Sequence, residues 1–381
     1  MRSSWLLILI LLTFSCKTKD NDLYVFDPGY LTDNKITLTD IADDISYIAL
    51  DNSYLISLIY KCSFINNSIY LSAKDIGILV FNHEGKILRK IGAIGRGLGE
   101  YTLCTEFKVD DKRGTVYVKD SGNIIKVYSG SGNFLRSISA GEYGGNIDLI
   151  EFQNSSLIAF NFLQFGNAKY NWIIMDTLGN LIKTKERGIP IFTSNWLGES
   201  GSYKFKNSIF YWDQYNDTVF SILPDLNYRV SFIINPGEHR LPRANFNPEG
   251  KLSQYMLIRS ILETNHYIII RYSFNKKGII ALIEKNGRGS YLSYWETTDI
   301  GGIINDLDGG TKFFPKSYFS ENDNEYLLGL VHPYYLKNYI STNEFKNSIP
   351  KYPEKKKELE KLANSLKEND NPVLMLVRLK E

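Results

Sequence analysis

The chain has 381 residues, of which 43% are hydrophobic and 23% charged, and its 44 basic side chains are nearly balanced by 42 acidic ones. This composition excludes a collagen, a low-complexity polymer and a disordered acidic tail. A formal charge of +2 gives no sequence-wide attraction to nucleic acid. The 26 Tyr, 21 Phe and 5 Trp favour strands over a helix bundle, so we expect a globular protein rich in β structure.

The first 15 residues predict a secretory signal peptide. One cation, Arg2, precedes the apolar run Trp5–Leu12, which is too short to span a bilayer as a helix. The run ends at Ser15-Cys16, which resembles the lipobox of bacterial lipoproteins. The resemblance implies that Cys16 is lipidated and becomes the mature N-terminus; the alternative is an ordinary signal peptide with an incidental cysteine.

A charged stretch, Lys17–Asp22, follows Cys16 and is typical of a flexible tether. We assign residues 16–35 to the lipidated Cys and this tether, and residues 36–381 to a single domain. The stretch also resembles the acidic export signals that send lipoproteins of some Gram-negative anaerobes to the outer face of the outer membrane, with a plain charged linker as the alternative. We therefore expect a lipid anchor as the only membrane contact, in the outer membrane and exposed at the cell surface or, alternatively, on the periplasmic face.

Two further cysteines, Cys62 and Cys104, lie in apolar, strand-like surroundings. An envelope compartment would permit a disulfide between them. Their apolar context favours two separate buried thiols.

A 47-residue spacing recurs in the first half of the chain. Ile78–Phe81 and Gly85–Ile91 return as Ile125–Tyr128 and Gly132–Ile138, and Gly179 marks a partial third copy. Within each copy, short runs rich in Ile, Val and Tyr alternate with Asn, Asp, Ser and Gly, which predicts strands joined by tight turns. A period of about 40 to 50 residues with three or four strands is typical of a propeller blade.

Later copies of the repeat are degenerate. Two further blades are predicted from paired strand-like runs: Ile209–Trp212 with Asp217–Ile222, and Tyr267–Arg271 with Ile279–Ile283. A sixth blade would combine Tyr326–Leu330 with strands from the two ends of the chain.

The C-terminal region supplies a way to close the ring. Residues Pro353–Glu368 predict an amphipathic helix, and Asn371-Pro372 ends it. Val373–Val377 is strand-like and would pair beside an early strand such as Ile45–Leu50. The predicted fold is therefore all-β: a six-bladed β-propeller of four-stranded antiparallel blades, with a C-terminal amphipathic helix and a ring-closing terminal strand. The apolar face of the helix is formed by Leu359, Leu362, Ala363 and Leu366.

The segment Gly92–Tyr101, followed by Val116–Asp120, resembles the NHL-repeat pattern. Further matching pieces are Asn216–Val219, Asp306–Gly310 and Glu368–Leu374. Together they make most of the chain after residue 36 similar to the six-bladed β-propeller lipoproteins of Gram-negative anaerobes. The resemblance implies a propeller fold and the membrane localisation of a lipoprotein.

Two loops carry charged candidates for ligand binding. In the glycine-rich loop, Arg96 and Glu100 would reach the central channel or one rim, and the alternative is an internal ion pair or turn brace. Asp306 and Asp308 resemble the start of a calcium loop, although the later positions lack its ligand pattern, so a structural turn is the alternative.

No sequence motif indicates catalysis: G-x-S-x-G, H-E-x-x-H and C-x-x-C are absent, and the four His residues are scattered. We therefore assign no catalytic residue, metal ligand or cofactor. The leading hypothesis is a non-catalytic binding or scaffold propeller, tethered to the membrane, whose partner is an extracellular oligosaccharide or peptide or another envelope protein. The alternative is a metal-dependent, lactonase-like hydrolase or lyase with its site at the channel mouth.

Overall fold

The computed structural model describes residues 23–143, 147–161, 169–188, 199–243, 252–285, 289–295 and 301–381, together with Pro190 and Phe192. Its strands form six sheets arranged as the blades of a propeller. The predicted six-bladed fold with four-stranded antiparallel blades is confirmed.

The chain begins with elements that belong to the last three blades: β1 (Val25–Phe26), β2 (Thr32–Asp33), α1 (Leu38–Ile41) and β3 (Ala42–Ala49). Blade 1 follows with β4 (Ile59–Ile65), β5 (Ser68–Ala73), β6 (Gly77–Asn82) and β7 (Ile87–Ile91). Blade 2 contains β8 (Glu106–Val109), β9 (Val116–Lys119), β10 (Ile124–Tyr128) and β11 (Phe134–Ser139). Blade 3 contains β12 (Leu149–Gln153), β13 (Ser156–Phe160), β14 (Tyr170–Asp176) and β15 (Leu181–Glu186).

Blade 4 contains β16 (Ser200–Phe205), β17 (Ser208–Asp213), β18 (Asn216–Ile222) and β19 (Tyr228–Ile234). Blade 5 contains β20 (Leu257–Glu263), β21 (Tyr267–Phe274), β22 (Lys277–Glu284) and β23 (Gly289–Trp295). Blade 6 contains β24 (Ser317–Glu321), β25 (Asn324–Val331), β26 (Val373–Leu379) and β3. Between β25 and β26 lie three helices: α2 (Pro333–Ser341), α3 (Asn343–Asn347) and α4 (Pro353–Ser365).

The first strand of each blade lies at the inner edge of its sheet. The first strands of neighbouring blades contact one another all the way around the ring, so they surround its axis. We call the end of the ring at which these inner strands begin the front rim. Six of the buried apolar clusters each lie between two neighbouring blades, which distributes the core around the ring.

The 47-residue spacing separates equivalent tight turns, each between the third and fourth strands of successive blades. Gly85, Gly132 and Gly179 occupy this turn with φ of +81°, +96° and +99°. A Cβ at Gly132 would collide with the carbonyl oxygen of Lys90 on the outer strand of the preceding blade. The glycine therefore allows both the turn and the close approach of two blades. In blade 4 Leu226 takes the equivalent position with φ of +62°. Because this residue is not a glycine, the spacing of glycines in the sequence did not reveal this copy of the repeat.

The ring closes as predicted, through the terminal strand. β26 pairs antiparallel with β3 from the start of the chain, with Leu374 opposite Ile48 and Leu376 opposite Ser46. The predicted C-terminal helix corresponds to α4, which ends at Ser365 and buries Leu359 among other residues. No helix in the described ranges is long and apolar enough to cross a membrane.

Two short strands cover outer edges of the propeller. β1 pairs in parallel with β19 on blade 4, and β2 pairs in parallel with β23 on blade 5. Both lie within residues 16–35, which the sequence assigned to a tether. The folded part of the chain therefore includes both strands.

Candidate functional site: the front rim at blades 1 and 2

The charged residues singled out from the sequence lie in two separate connections. Arg96 and Glu100 belong to the connection between blades 1 and 2, and Asp306 and Asp308 to the connection between blades 5 and 6. Glu100 accepts a hydrogen bond from the backbone N–H of Gly97 at 2.7 Å, and Arg96 is exposed. The carboxylate of Glu100 thus braces its own turn.

Asp306 and Asp308 also make contacts within the fold. Asp306 accepts hydrogen bonds from the backbone N–H of Thr39, at 2.8 Å, and from its hydroxyl. Asp308 is fully buried and accepts from the N–H of Gly310 at 2.9 Å and from Asn305 Nδ2 at 2.6 Å. Burial raises the pKa of the Asp308 carboxyl. Ligand binding by the four charged residues stays a prediction, and the predicted lipidation site Cys16 lies outside the described residues.

A chain of polar and charged side chains joins the inner strands of four consecutive blades. Lys61 on β4 pairs with Glu106 on β8. Lys108, also on β8, lies with its Nζ 3.7 Å from Glu106 and 2.7 Å from Glu151 on β12. Ser202 on β16 donates its hydroxyl to Glu151. In these five residues, which we call the inner-strand cluster, two ammonium groups balance two carboxylates, as buried charges require.

Burial and mutual attraction shift the pKa values in this cluster. Burial lowers the pKa of Lys61 to about 8, although Glu106 opposes the shift. For Lys108, burial favours the neutral amine, but the attraction of Glu151 and Glu106 outweighs it and raises the pKa. Burial of Glu151 is likewise outweighed by Lys108 and Lys61, which lower its pKa. Lys61, Lys108 and Glu151 are therefore charged at neutral pH.

Five apolar or aromatic side chains are exposed on the front rim beside this cluster. Leu55 keeps 67% of its surface in solvent. Most of the group belongs to the connection from blade 6 into β4 or to β4 itself, and one member lies in the connection from blade 1 into β8. We call the group the rim patch: Tyr54, Leu55, Leu58, Tyr60 and Leu103.

The two connections that carry the rim patch meet at the end of β5. The backbone N–H of Lys74, just after β5, donates to the carbonyl of Leu58 at 2.9 Å. Within β5, the hydroxyl of Ser72 lies 3.2 Å from Cys104 Sγ and also donates to the Cys104 carbonyl. Leu58 and Leu103 are therefore held at the same end of blade 1.

One buried side chain fixes the loop that carries most of the rim patch. Asn371, which is 2% exposed, accepts from the N–H of Ile56 at 2.7 Å and donates from Nδ2 to the carbonyls of Asp51 and Tyr54, both at 2.7 Å. Its own N–H donates to Asn52 Oδ1 at 2.8 Å. Since Ile56 is buried, the loop is pinned on its inner side and presents its neighbours outward.

A β-bulge separates the rim patch from the inner-strand cluster. Ile59 pairs with Ala73 and Lys61 pairs with Ser72, so Tyr60 is an extra residue in β4. Bulges redirect a side chain and recur next to functional sites. Here Tyr60, the bulged residue, belongs to the rim patch, and Lys61, which follows it, belongs to the inner-strand cluster.

Sequence reasoning missed both groups, although one signal was present. Lys61 and Lys108 are 47 residues apart, which is the repeat spacing, and both lie on inner strands. Extending the repeat comparison toward the start of each copy would have found them. The rim patch had no such signal, because a run of apolar residues before a strand is typical of the strand itself.

Side chains that could bind a metal or change redox state are dispersed. No three His, Cys, Asp or Glu side chains come together as a metal site among the residues that the structure describes. Cys62 and Cys104 are free and buried, which agrees with the interpretation as separate thiols. Burial raises the pKa of the Cys62 thiol to about 12.

Comparisons with known proteins identify a family and a fold. The family model described as "Domain of unknown function (DUF4934)" matches residues 23–378. Among solved structures, the chain is similar to that of a "putative exported protein" from Bacteroides fragilis, with 19% identity, coverage of 94% of this chain and 99% of that chain, and a TM-score of 0.66. A member of the DUF4221 family from Bacteroides vulgatus is 12% identical over 89% of this chain and 97% of that chain, with a TM-score of 0.49. No curated protein matches the chain.

Proposed function

We propose that this chain, which belongs to the DUF4934 family of domains of unknown function, is a non-catalytic, lipid-anchored envelope propeller that binds a partner protein through the rim patch. The observation that carries the proposal is a fixed loop with apolar side chains directed into solvent. Clustered exposed apolar residues mark interaction surfaces, and Tyr is enriched at the centres of protein interfaces.

The preorganised loop supports binding for an energetic reason. A flexible loop loses conformational entropy when it binds, and this loss subtracts from affinity. Because Asn371 and the buried Ile56 already fix the loop, Tyr54 and Leu55 would bind without that cost. The rim patch is thus suited to act as a rigid docking surface.

The chemistry of the site favours a protein over an oligosaccharide. Sugar hydroxyls need hydrogen-bonding partners, but Lys61, Lys108 and Glu151 already bond to other members of the inner-strand cluster. What the rim patch offers to solvent is mainly leucine and tyrosine. We therefore infer that the rim patch recognises the partner protein through apolar contacts. The inner-strand cluster stabilises the inner strands and does not contact the partner.

The partner is tested by capture from detergent-solubilised envelopes, with the purified mature chain as bait. A double variant, Leu55→Asp with Tyr60→Ser, alters the rim patch, and Leu135→Asp alters an exposed leucine on the outer strand of blade 2 as a matched control. We expect a discrete partner with the wild type and the control and its loss with the double variant. Equal capture by all three proteins would contradict the proposal.

Thermal unfolding separates this proposal from its alternatives. A ligand present at 100 times its Kd adds about 2.7 kcal/mol to the free energy of unfolding, which is visible as a rise in Tm. A saturable rise with Ca²⁺ or Mn²⁺ would favour the lactonase-like hydrolase or lyase, and a rise with oligosaccharides would favour sugar binding. We expect neither.

The anchor is tested separately in cells. If Cys16 is lipidated, Cys16→Ala should release the protein from the membrane fraction, and mass spectrometry of the wild-type N-terminal peptide should show the acyl groups. A wild-type N-terminal peptide without acyl groups would contradict the anchor. This result would leave the partner experiment unaffected.

A further inference from the structure

The N-terminal segment is attached to the outer edge of blade 4. The carbonyl of Tyr24 accepts from the N–H of Ile233 at 2.9 Å, and the carbonyl of Phe26 accepts from the N–H of Asn235 at 2.8 Å. The side chain of Phe26 is buried in the cluster between blades 4 and 5. From Tyr24 onward, the chain therefore has a fixed position on this edge.

The sequence leaves little chain between this edge and the proposed lipid. Six residues separate Cys16 from Leu23. An extended chain spans about 3.5 Å per residue, so the lipidated residue lies within roughly 25 Å of Leu23. The bilayer is therefore close to the outer edges of blades 4 and 5.

That edge also carries exposed apolar and aromatic side chains. Tyr30, in the short helical turn between β1 and β2, is 86% exposed. Tyrosine and aliphatic side chains favour the boundary between lipid and water. We call this group the edge patch: Leu23, Val25, Tyr30, Tyr228 and Val230.

Charge does not explain the edge patch. Arg229 and Arg240 lie near it, and Lys185 Nζ lies 4.6 Å from the centre of the Tyr228 ring. Asp27 and Glu238 also lie near it, and Arg240 is paired with Asp217. The mixture of signs gives no selective attraction to anionic lipid. Contact with a bilayer here would be apolar.

We propose that the edge patch rests on the membrane to which Cys16 is anchored, so that the propeller stands on the outer edge of blade 4. This inference depends on the lipid anchor of the proposed function. In a ring of six blades, blade 1 lies opposite blade 4. The rim patch is therefore held on the side of the propeller away from the bilayer, where a partner protein can reach it.

Hydrogen exchange tests this orientation on the mature chain, residues 16–381. The thiol of Cys16 is coupled to a maleimide lipid in phosphatidylcholine vesicles, and the same chain with a blocked thiol stays in solution. Cys62 and Cys104 are buried and remain unmodified. We expect slower amide exchange on the vesicles in residues 27–31 and 228–231, and no change in β7 on the outer edge of blade 1.

Matched variants distinguish contact of the edge patch with the bilayer from the effect of attachment through Cys16 alone. Val25→Ser with Tyr30→Ser should abolish the slowing in residues 27–31, whereas Leu88→Ser, at an exposed leucine on β7, should retain it. Equal slowing in β7, or none in residues 27–31, would overturn the orientation. Because chemical coupling replaces cellular lipidation, such a result would not bear on whether Cys16→Ala releases the protein from membranes in cells.

Discussion

The connections that lead into β4 and β8 lie side by side on the front rim but direct their side chains differently. In Gly92–Tyr101, the carboxylate of Glu100 turns back onto the backbone of Gly97. In the connection before β4, the buried side chain of Asn371 hydrogen-bonds to the backbone, and Tyr54 and Leu55 face solvent. The segment Gly92–Tyr101 is thus braced by its own carboxylate, although Leu98 within it is exposed. The connection before β4 instead presents a group of apolar side chains on a loop fixed by a distant residue, and such a surface can bind.

The largest loss of stability is expected when the ion pair that joins β4 to β8 is removed. Glu106 on β8 bonds to Lys61 on β4 and lies near Lys108, so Glu106→Ala would leave two ammonium groups with Glu151 as their remaining partner in the cluster. Removing one partner of a buried ion pair costs about 3–5 kcal/mol. Urea unfolding should show a loss of this size.

The control for that variant is an exposed ion pair. Glu186 lies 3.6 Å from Lys169, and both side chains are largely in solvent. Glu186→Ala should cost only about 0–1 kcal/mol. Equal losses for Glu106→Ala and Glu186→Ala would show that the inner-strand cluster does not support the strands.

The next largest effect tests the glycine-rich connection. Gly92 has a φ of +61°, and a Cβ there would lie 2.7 Å from the Tyr128 ring and 2.8 Å from the Tyr101 ring. Gly92→Ala combines backbone strain with overpacking and should cost about 2–4 kcal/mol. Gly122→Ala is the matched control, because Gly122 has a φ of +67° with open space around it; a loss of about 1 kcal/mol is expected there.

The fixed position of the other connection depends on Asn371. Asn371→Ala would leave the N–H of Ile56 and the carbonyls of Asp51 and Tyr54 without this partner. The free energy of unfolding should fall by about 1–3 kcal/mol, and capture of the partner protein should weaken. Unchanged capture would show that a fixed loop is not needed for binding.

A different kind of effect is expected from the pH dependence of Lys61. Its pKa is about 8 in the folded chain and 10.5 for an unperturbed lysine, so the unfolded state binds more protons between these values. The contribution of Lys61 to the free energy of unfolding should therefore rise as the pH rises from 8 to 10.5. Subtracting the profile of Lys61→Gln from that of the wild type isolates this contribution, and a falling difference would refute the assignment.

The smallest effect on stability is expected at the exposed leucines of the two connections. Leu55→Asp and Leu98→Asp should each change the free energy of unfolding by no more than about 0.5 kcal/mol. Their effects on binding should differ, since Leu55 belongs to the rim patch, whereas the backbone of Leu98 is bonded toward blade 2 through Lys126 Nζ. Only Leu55→Asp should abolish capture of the partner.

The sequence was most informative where structure is local. The spacing from Gly85 to Gly132 and Gly179 identified the blades because each repeat must place a left-handed turn at the same point. The pairing of the terminal strand could be predicted because an open ring would leave unpaired strand edges. The glycine spacing does not extend to blade 4, because Leu226, a non-glycine residue, takes the same backbone conformation there.

The functional site was less predictable because its contacts are distant in sequence. Asn371 lies more than 300 positions from Ile56, Asp51 and Tyr54, so no local pattern marks these bonds. In the sequence, Asn371 is simply the end of a helix. The strands β1 and β2 were missed for a related reason, because two-residue strands have no periodicity and depend on edges formed elsewhere.

Site-specific photocrosslinking in intact cells tests whether the rim patch binds a partner protein. A photoreactive amino acid replaces Leu55 in the rim patch or Leu135 on the outer edge of blade 2, both of which are exposed. We expect one discrete crosslinked protein from position 55 and none from position 135. The same products from both positions, or a discrete product from position 135 alone, would contradict the assignment of the rim patch as the binding surface.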